Sequence, residues 1–554
     1  MLESGLTLLA PVLISMLGAV ITKIAARFRL SWEQDALALL MAGGAFVSTL
    51  LLAHYPASPV VISPWHPLTL FGSPLAYAAE GLAAPFALLT SLVCLAIVLS
   101  LSKWRRGTRD NGDSSLYPAV FVVSAAGLSF VYSANLITLC LSWAFLDLSL
   151  LFLIMGQGRH QAASDARGRR ALMVSSLTGL SLVVAALLLD GHGPSLAFAP
   201  FLLLVAALVR ASFYPTHFWM LTGAELKSPA SILLQVISIV TGLSLLARFQ
   251  EFSSQGLPYR SQLATLSSLA LLATALSAWA EQDRRRAISC VAINQVALAV
   301  LSVTVVRSQA KSSLLWSAIS LALSLSLLNL WPPEPERVGR YGLWLRVLTG
   351  LAIASLMGLP FTMGFVGRAA LYGSLFALGQ PYLWGLSMIA DAVLFAALFR
   401  MGSDLLSDLS HKTTSSEWAT WVPHLAGVVI LAAPLILLGI HPPLVRFLAA
   451  DIDLPAAVEL IGGADIALWA VLLLPMVGGY LLHRGQKATL ERSAAFWKDL
   501  ADLLRLDWLH RWLWKVGWGI GAVLRALAQV TEGRGYLGWT LLLAFIAFLL
   551  LSGK

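Results

Sequence analysis

The sequence predicts an all-α polytopic membrane protein with about sixteen transmembrane helices. Three observations lead there. Of its 554 residues, 58% are hydrophobic and only 12% charged, with a mean hydropathy of +0.80. Apolar stretches of roughly twenty residues, the length that crosses a bilayer as a helix, recur along nearly the whole chain. Arg210 lies inside one of them, in "FLLLVAALVRASFYPTHFWM". A charge at membrane depth is costly enough that it is usually retained for a task.

In chain order the spans fall at about 5–26, 35–53, 81–101, 116–133, 136–156, 171–189, 196–215, 229–247, 262–280, 287–306, 312–331, 343–362, 381–399, 421–440, 465–482 and 535–551. No segment between them is long enough for a separate soluble domain. The first span has Glu3 ahead of it and Lys23, Arg27 and Arg29 behind it, the reverse of a cleavable signal peptide. Segment 54–79 contains Pro56, Pro59, Pro64, Pro67 and Pro74, so it reads as an external loop of turns and short strands.

The seventh span is expected to break near Pro215 and the twelfth near Pro360, because proline removes a backbone donor and clashes with the preceding turn. The freed backbone groups are tolerated only against other helices or a wet cavity. Arg210 and Arg368 accompany these breaks. Two broken, charge-bearing helices in corresponding positions point to a transporter core built from repeats.

Segment 484–534 mixes charges with Trp and Leu at helical spacing. It reads as an amphipathic helix on the cytoplasmic face, with 490–515 lying along the membrane. Trp497, Trp508, Trp512 and Trp514 are its expected anchors, and Gly517, Gly519 and Gly521 are candidate break points. The last span then returns the chain to the outside.

The net charge of +9 follows the positive-inside rule and does not imply nucleic-acid binding. Loops after odd-numbered spans, together with 484–534, hold 29 of the 37 Lys and Arg; the other side has six, and two are intramembrane. That places the odd loops in the cytoplasm and both termini outside, in the cell's inner (plasma) membrane. Cys94, Cys140 and Cys290 lie in separate spans, with no metal or disulfide spacing. The chain has no cysteine cluster for iron–sulfur centres and no GxGxxG after a strand. No cofactor or metal is therefore expected on this chain, neither NADH nor a redox group.

Four stretches together resemble the antiporter-like membrane subunits of respiratory complex I and their relatives in multisubunit cation/proton antiporters. They are "EGLAAPFALLTSLV" from Glu80, "LSWAFLDLSLLFLI", "VRASFYPTHFWMLTGAELKSPASILLQVISIVTGLSLLAR", and "EQDRRRAISCVAINQ" followed by "GLPFTMGFVGR". The third is the strongest, with Pro215, His217, Trp219, Ser228, Pro229 and an ending at Arg248. The resemblance covers about residues 80–400. It implies two inverted five-helix repeats, spans 4–8 and 9–13, and a hydrated row of ionisable residues at the midplane. The implied division is 1–115, 116–250, 260–402, 403–483 and 484–554.

The row departs from the family pattern at nearly every position. The fifth-helix glutamate is replaced by Ala144, but Asp147 follows one turn on. An i,i+3 displacement keeps the helix face, so Asp147 is expected to pair with Arg210. The seventh-helix lysine is Arg210, and the eighth-helix histidine is Gln235. The basic position between the ninth and tenth helices is Arg285, and span 11 has no Lys or His. The terminal residue is Arg368, and Asp391 is an acid with no place in the pattern.

Each candidate also has a plainer reading. Arg210 and Arg368 could reach the interface as packing arginines. His217 could cap a helix break, Arg285 could be a topology signal, and Glu80 could answer a helix dipole. A lysine can shift its pKa and release a proton, whereas an arginine stays charged.

The implied function is an antiporter-like, proton-translocating-type subunit of a complex-I-like NADH:quinone oxidoreductase assembly. Electron transport and quinone chemistry would occur elsewhere in that assembly. Its partners would be other membrane subunits, lipid and protons. The in-plane helix favours the distal, L-type member, although about 40 residues gives only about 60 Å of helix. The alternatives are a partner subunit in a cation/proton antiporter or inorganic-carbon transporter, and a structural subunit that no longer conducts.

Overall fold

The computed structural model describes residues 2–28, 31–55, 58–62, 74–102, 116–157, 162–190, 198–226, 228–249, 257–306, 310–331, 342–407, 418–447, 466–492, 494–504 and 506–531. Among the described residues, nineteen α-helices, one short 3-10 helix (Pro442–Phe447) and one two-stranded sheet make up the regular structure. Ten helices are long and apolar enough to cross a membrane; shorter apolar helices lie at Leu116–Tyr132, Met173–Leu189, Ala199–Arg210 and Leu343–Met357. A helix lies at each of the first fifteen expected stretches. The sixteenth, 535–551, lies outside the described residues.

The chain opens with α1 (Leu2–Arg27) and α2 (Ser31–His54). On α1, Leu13, Leu17, Val20 and Ile24 are exposed, a spacing that places them on one face. A short hairpin follows, β1 (Val60–Ile62) with β2 (Leu75–Tyr77), antiparallel with Val60 opposite Tyr77. Asn135 Nδ2 donates to the Pro74 carbonyl at 2.6 Å and ties the hairpin down. Next is α3 (Ala83–Leu101), apolar all round and almost wholly buried, as such a helix must be.

Two five-part modules come next. The first contains α4 (Leu116–Tyr132), α5 (Leu136–Gln157), α6 (Ala162–Asp190), a helix in two pieces, α7 (Ala199–Arg210) and α8 (Phe218–Ala224), and α9 (Ser228–Ala247). The second contains α10 (Arg260–Ala280), α11 (Arg284–Val305), α12 (Ala310–Leu330), another two-piece helix, α13 (Gly342–Met357) and α14 (Met363–Ala377), and α15 (Pro381–Ser407).

The same order of neighbours recurs in both. In the first, α4 packs on α5, α5 on α6, and α6 on both pieces α7 and α8, while α9 closes on α4, α7 and α8. In the second, α10 packs on α11, α11 on α12, and α12 on α13 and α14, while α15 closes on α10, α13 and α14. The modules meet through α9 with α12 and α8 with α11. Helix α16 (Trp418–Ile440) packs on α3 and α12 to α14; α17 (Ile466–Arg492) lies along α15.

The α6 helix starts at Ala162, so most of the connection expected between the spans at 136–156 and 171–189 is helical. Likewise α17 continues to Arg492, past residue 484, where the sequence places the amphipathic segment.

Residues 495–554 form a separate compact unit. Its described part is α18 (Ala494–Leu504) and α19 (Asp507–Thr531). The expected break at the glycines does not occur: α19 runs through Gly517, Gly519 and Gly521. The turn falls instead at Leu506, with φ 58°. Glycine permits a break but does not impose one; a positive φ at a branched residue does redirect the chain. On α19, Trp508, Trp512, Val516 and Val523 are exposed along one side.

Candidate functional site

Both two-piece helices stop by the same local chemistry. In the first, Phe213 N donates to Leu208 O at 2.9 Å and Ser212 N to Val209 O at 3.0 Å. In the second, Leu359 N donates to Ala354 O at 2.9 Å and Gly358 N to Ser355 O at 3.0 Å. Each is the paired 6→1 and 5→2 closure of a Schellman stop, with its pivot in the left-handed region. The pivots are Ser212, φ 61°, and Gly358, φ 71°.

Each stop is followed by a threonine that closes a turn. Thr216 N and Oγ1 both donate to Phe213 O, at 2.7 and 2.9 Å; Thr362 N and Oγ1 both donate to Leu359 O, at 3.2 and 2.6 Å. Pro215 and Pro360 lie between stop and threonine, where no helix is left to continue. The helix thus ends at Arg210, five residues before Pro215.

A glycine from a neighbouring helix seats each break. A Cβ at Gly242 of α9 would lie 2.7 Å from Arg210 C. One at Gly439 of α16 would lie 2.5 Å from Phe361 O and 2.6 Å from Thr362 C. No side chain fits at either position.

Arg210 is the last residue of α7 and is 0% exposed. Its Nη1 donates to Asp147 Oδ1 at 2.5 Å and to Ser175 Oγ at 3.1 Å, and its Nε to Thr241 Oγ1 at 3.3 Å. Its guanidinium lies over the Trp143 ring, 5.1 Å from the centroid. Asp147 also accepts from Ser175 Oγ at 2.7 Å and Trp143 Nε1 at 3.1 Å. Both carboxylate oxygens are therefore bonded. The cation also sits where a helix end favours positive charge.

The second pair lies across the second break. Arg368 of α14 and Asp391 of α15 form a buried ion pair, 2% and 1% exposed. Arg368 Nη2 reaches back over the break to the Leu356 carbonyl at 2.8 Å, at the end of α13. Superposing the two stops sets Ser212 against Gly358 and Thr216 against Thr362, which sets Arg210 against Leu356. Arg368 thus bonds the carbonyl of the residue that corresponds to Arg210 in the first module. Tyr372 OH donates to Asp391 Oδ2 at 2.7 Å, and Phe395 lies under Arg368 at 5.1 Å.

Between the pairs, buried amides and hydroxyls join the modules. Gln235 Nε2 donates to Met220 O and Ser289 Oγ, both at 2.8 Å, and its Oε1 accepts from Asn329 Nδ2 at 3.4 Å. Within the second module, Asn294 Nδ2 donates to Leu271 O at 2.7 Å and Thr274 Oγ1 at 3.1 Å. A small cavity of mixed lining is bounded by Gln295, Leu298, Ser317, Ser320, Ser355 and Arg368, with Gly364 and Gly367 in its wall.

The remaining candidates lie elsewhere. His217 is buried at the start of α8, stacked on Tyr214 at 5.3 Å. Arg285 is exposed at the start of α11 and donates to Leu226 O at 3.1 Å; it is not part of a buried row. Glu80 is exposed ahead of α3, so it too lies outside the buried polar set. Ser175, Thr241, Tyr372 and Asn329 were not singled out in the sequence. Their only sequence signal is a polar residue inside an apolar span. Among the described residues, no group of His, Cys, Asp and Glu could hold a metal ion.

Two further arginines tie the ends of each module together. Arg248, just past α9, donates to Val131 O at 2.7 Å and Ser133 O at 2.9 Å, at the end of α4. Arg400 of α15 donates to Trp279 O at 3.0 Å and Ala278 O at 3.1 Å, at the end of α10. Each thus caps the first helix of its module from the last.

Residues 133–331 match the family described as NADH:quinone oxidoreductase/Mrp antiporter, TM. NADH-quinone oxidoreductase subunit N 2 of Solidesulfovibrio magneticus is 27% identical over 417 residues, 68% of this chain and 86% of that one. A chain of the Mrp complex from Dietzia sp. DQ12-45-1b superposes with TM-score 0.75 at 20% identity, covering 99% of this chain and 63% of that one. A chain of the archaeal membrane-bound sulfane sulfur reductase gives TM-score 0.71 at 17% identity, covering 98% and 99%. At those identities the two structures show a shared fold. With the sequence match across the first break and into the second module, the chain is similar in sequence and in fold to the antiporter-like membrane subunits of the complex I and Mrp type.

Proposed function

We propose that the chain is a proton-translocating-type subunit in the membrane arm of a complex-I-like assembly, with other membrane subunits as partners. The observation that carries this is the pair of buried Arg–Asp bridges, one at the end of a half-helix and one reaching across a break, in modules of the same design. Charges held at such breaks are the means by which repeat-built transporters handle ions at the midplane. The modules read as inverted repeats. The arginine caps support this, since with alternating spans Arg248 falls on the outer side and Arg400 on the cytoplasmic side.

The first pair favours a structural role for its half. Asp147 is fully bonded and Arg210 does not release a proton near neutral pH, so the first module serves as a locked partner to the second. Residues 490–515 read as an in-plane amphipathic segment at the cytoplasmic face, bracing neighbouring subunits, with both termini outside. Purification in mild detergent with identification of the co-purifying subunits tests the assembly. Recovery with cation/proton antiporter subunits and no redox partner would transfer the chain to the alternative reading. Proton flux in proteoliposomes tests conduction, and unaltered flux in Arg368→Ala would remove the second half from the path.

A further inference from the structure

The two buried pairs differ in what they leave unbonded. In the first, the unpartnered buried atom is Arg210 Nη2, a donor. In the second it is Asp391 Oδ1, an acceptor, while Arg368 and Tyr372 both bind the other oxygen. A buried carboxylate oxygen without a donor is costly, and the cost is removed by a water or by a proton on that oxygen.

A small cavity lies beside the other partner of this pair, Arg368. The cavity beside Arg368 is lined by Ser317 and Ser320 of α12 and Ser355 of α13. Ser313 and Ser324 share that face of α12 at helical spacing, and their buried hydroxyls have no partner. The cavity's serine hydroxyls and the Arg368 guanidinium are the polar groups that a water there would meet.

We infer that Asp391 is the residue of this chain that takes up and releases the translocated proton, with Tyr372 as its positioning residue. In the step, hydronium delivered through the α12 serine face gives its proton to Asp391 Oδ1. The products are a neutral carboxyl and water; the reverse step returns the proton to water. Arg368 stays charged throughout and holds Oδ2. Other ionisable groups near α15 lie farther along it. Arg400 is turned to the end of α10, where Glu281 also lies; Tyr480 and His483 of α17 lie against Phe399. The inference rests on the proton-path reading above, but its test reads protonation, not flux, so either can fail alone.

The test is infrared difference spectroscopy of the full chain, as extracted from its membrane, through a pH step in H2O and D2O. A carboxyl C=O band that appears on acidification and shifts in D2O is expected. It should be lost in Asp391→Asn and kept in Asp147→Asn. In Tyr372→Phe, which keeps the ion pair should Asp391→Asn fail to fold, the band should remain but move in frequency and midpoint. A band that survives Asp391→Asn, or that Tyr372→Phe leaves unmoved, would overturn the assignment. So would the absence of any titrating carboxyl band.

Discussion

Replacing Arg210 separates a structural charge from a working one. Arg210 is wholly buried and holds Asp147, Ser175 and Thr241 from three different helices, α5, α6 and α9. Arg210→Met leaves Asp147 buried with two neutral donors, Ser175 and Trp143, and no cation. Removing one partner of a buried pair costs about 3–5 kcal/mol. At 1.4 kcal/mol per decade, that is on the order of a hundredfold to a few thousandfold in the folded equilibrium. Arg210→Lys keeps the charge near Asp147 but gives up the planar fork that reaches Thr241 and stacks on Trp143. About 1–2 kcal/mol of loss is expected, the scale of a hydrogen bond plus a cation–π contact. Two assays are needed: thermal unfolding of the purified chain, and proton flux in proteoliposomes at matched protein. If Arg210 only joins helices, Arg210→Lys lowers the unfolding temperature slightly and leaves flux unchanged or improved, since lysine can release its proton. A large fall in flux with normal thermal stability would refute the structural role.

Other outcomes follow from the same geometry. Gly242→Ala and Gly439→Ala should each reduce the yield of folded protein sharply, because a Cβ there meets the backbone of a break; Gly350→Ala, with nothing within 4 Å, is the matched control. Arg400→Ala should destabilise by about 1–3 kcal/mol, since buried carbonyls at the end of α10 lose their donor; Arg400→Lys should recover part of this in the same unfolding assay. A cysteine placed at Ala163 should label only from the cytoplasmic side, and labelling from outside would reverse the proposed topology. Deleting 495–531 should release neighbouring subunits on native gels before it changes flux through assembled complexes; an intact complex would argue against bracing.

The sequence made some of this legible. The Asp147–Arg210 contact follows from one turn of helix, because i and i+3 share a face. The partner of Arg368 does not, since Asp391 lies on the next helix and periodicity cannot say which neighbours face. The prolines mark both breaks, yet they do not set where helix ends. The stops are made by left-handed residues ahead of them, serine in one case and glycine in the other. That difference hides a shared pattern, "SFYPT" beside "GLPFT", until the backbone bonds reveal it. Glu80 and Arg285 matched motifs in type, but burial is decided by packing, which a motif does not carry. The kink at Leu506 has no sequence signal, and the glycines that looked like break points lie in continuous helix.

The arginine caps have a mechanical consequence. A frame tied at one end gives most easily at the other, as a clothes-peg does. Arg248 ties the first frame where α4 ends, and Arg400 ties the second where α10 ends. On the proposed alternating topology, those knots lie at opposite membrane faces. Breathing of the two modules is then expected to loosen them toward opposite sides, so that no single fluctuation opens both to the same compartment. Spin-label distances across the untied ends should widen in one module independently of the other. The leak that a proton-motive membrane cannot tolerate would be blocked by two side chains far from either buried acid.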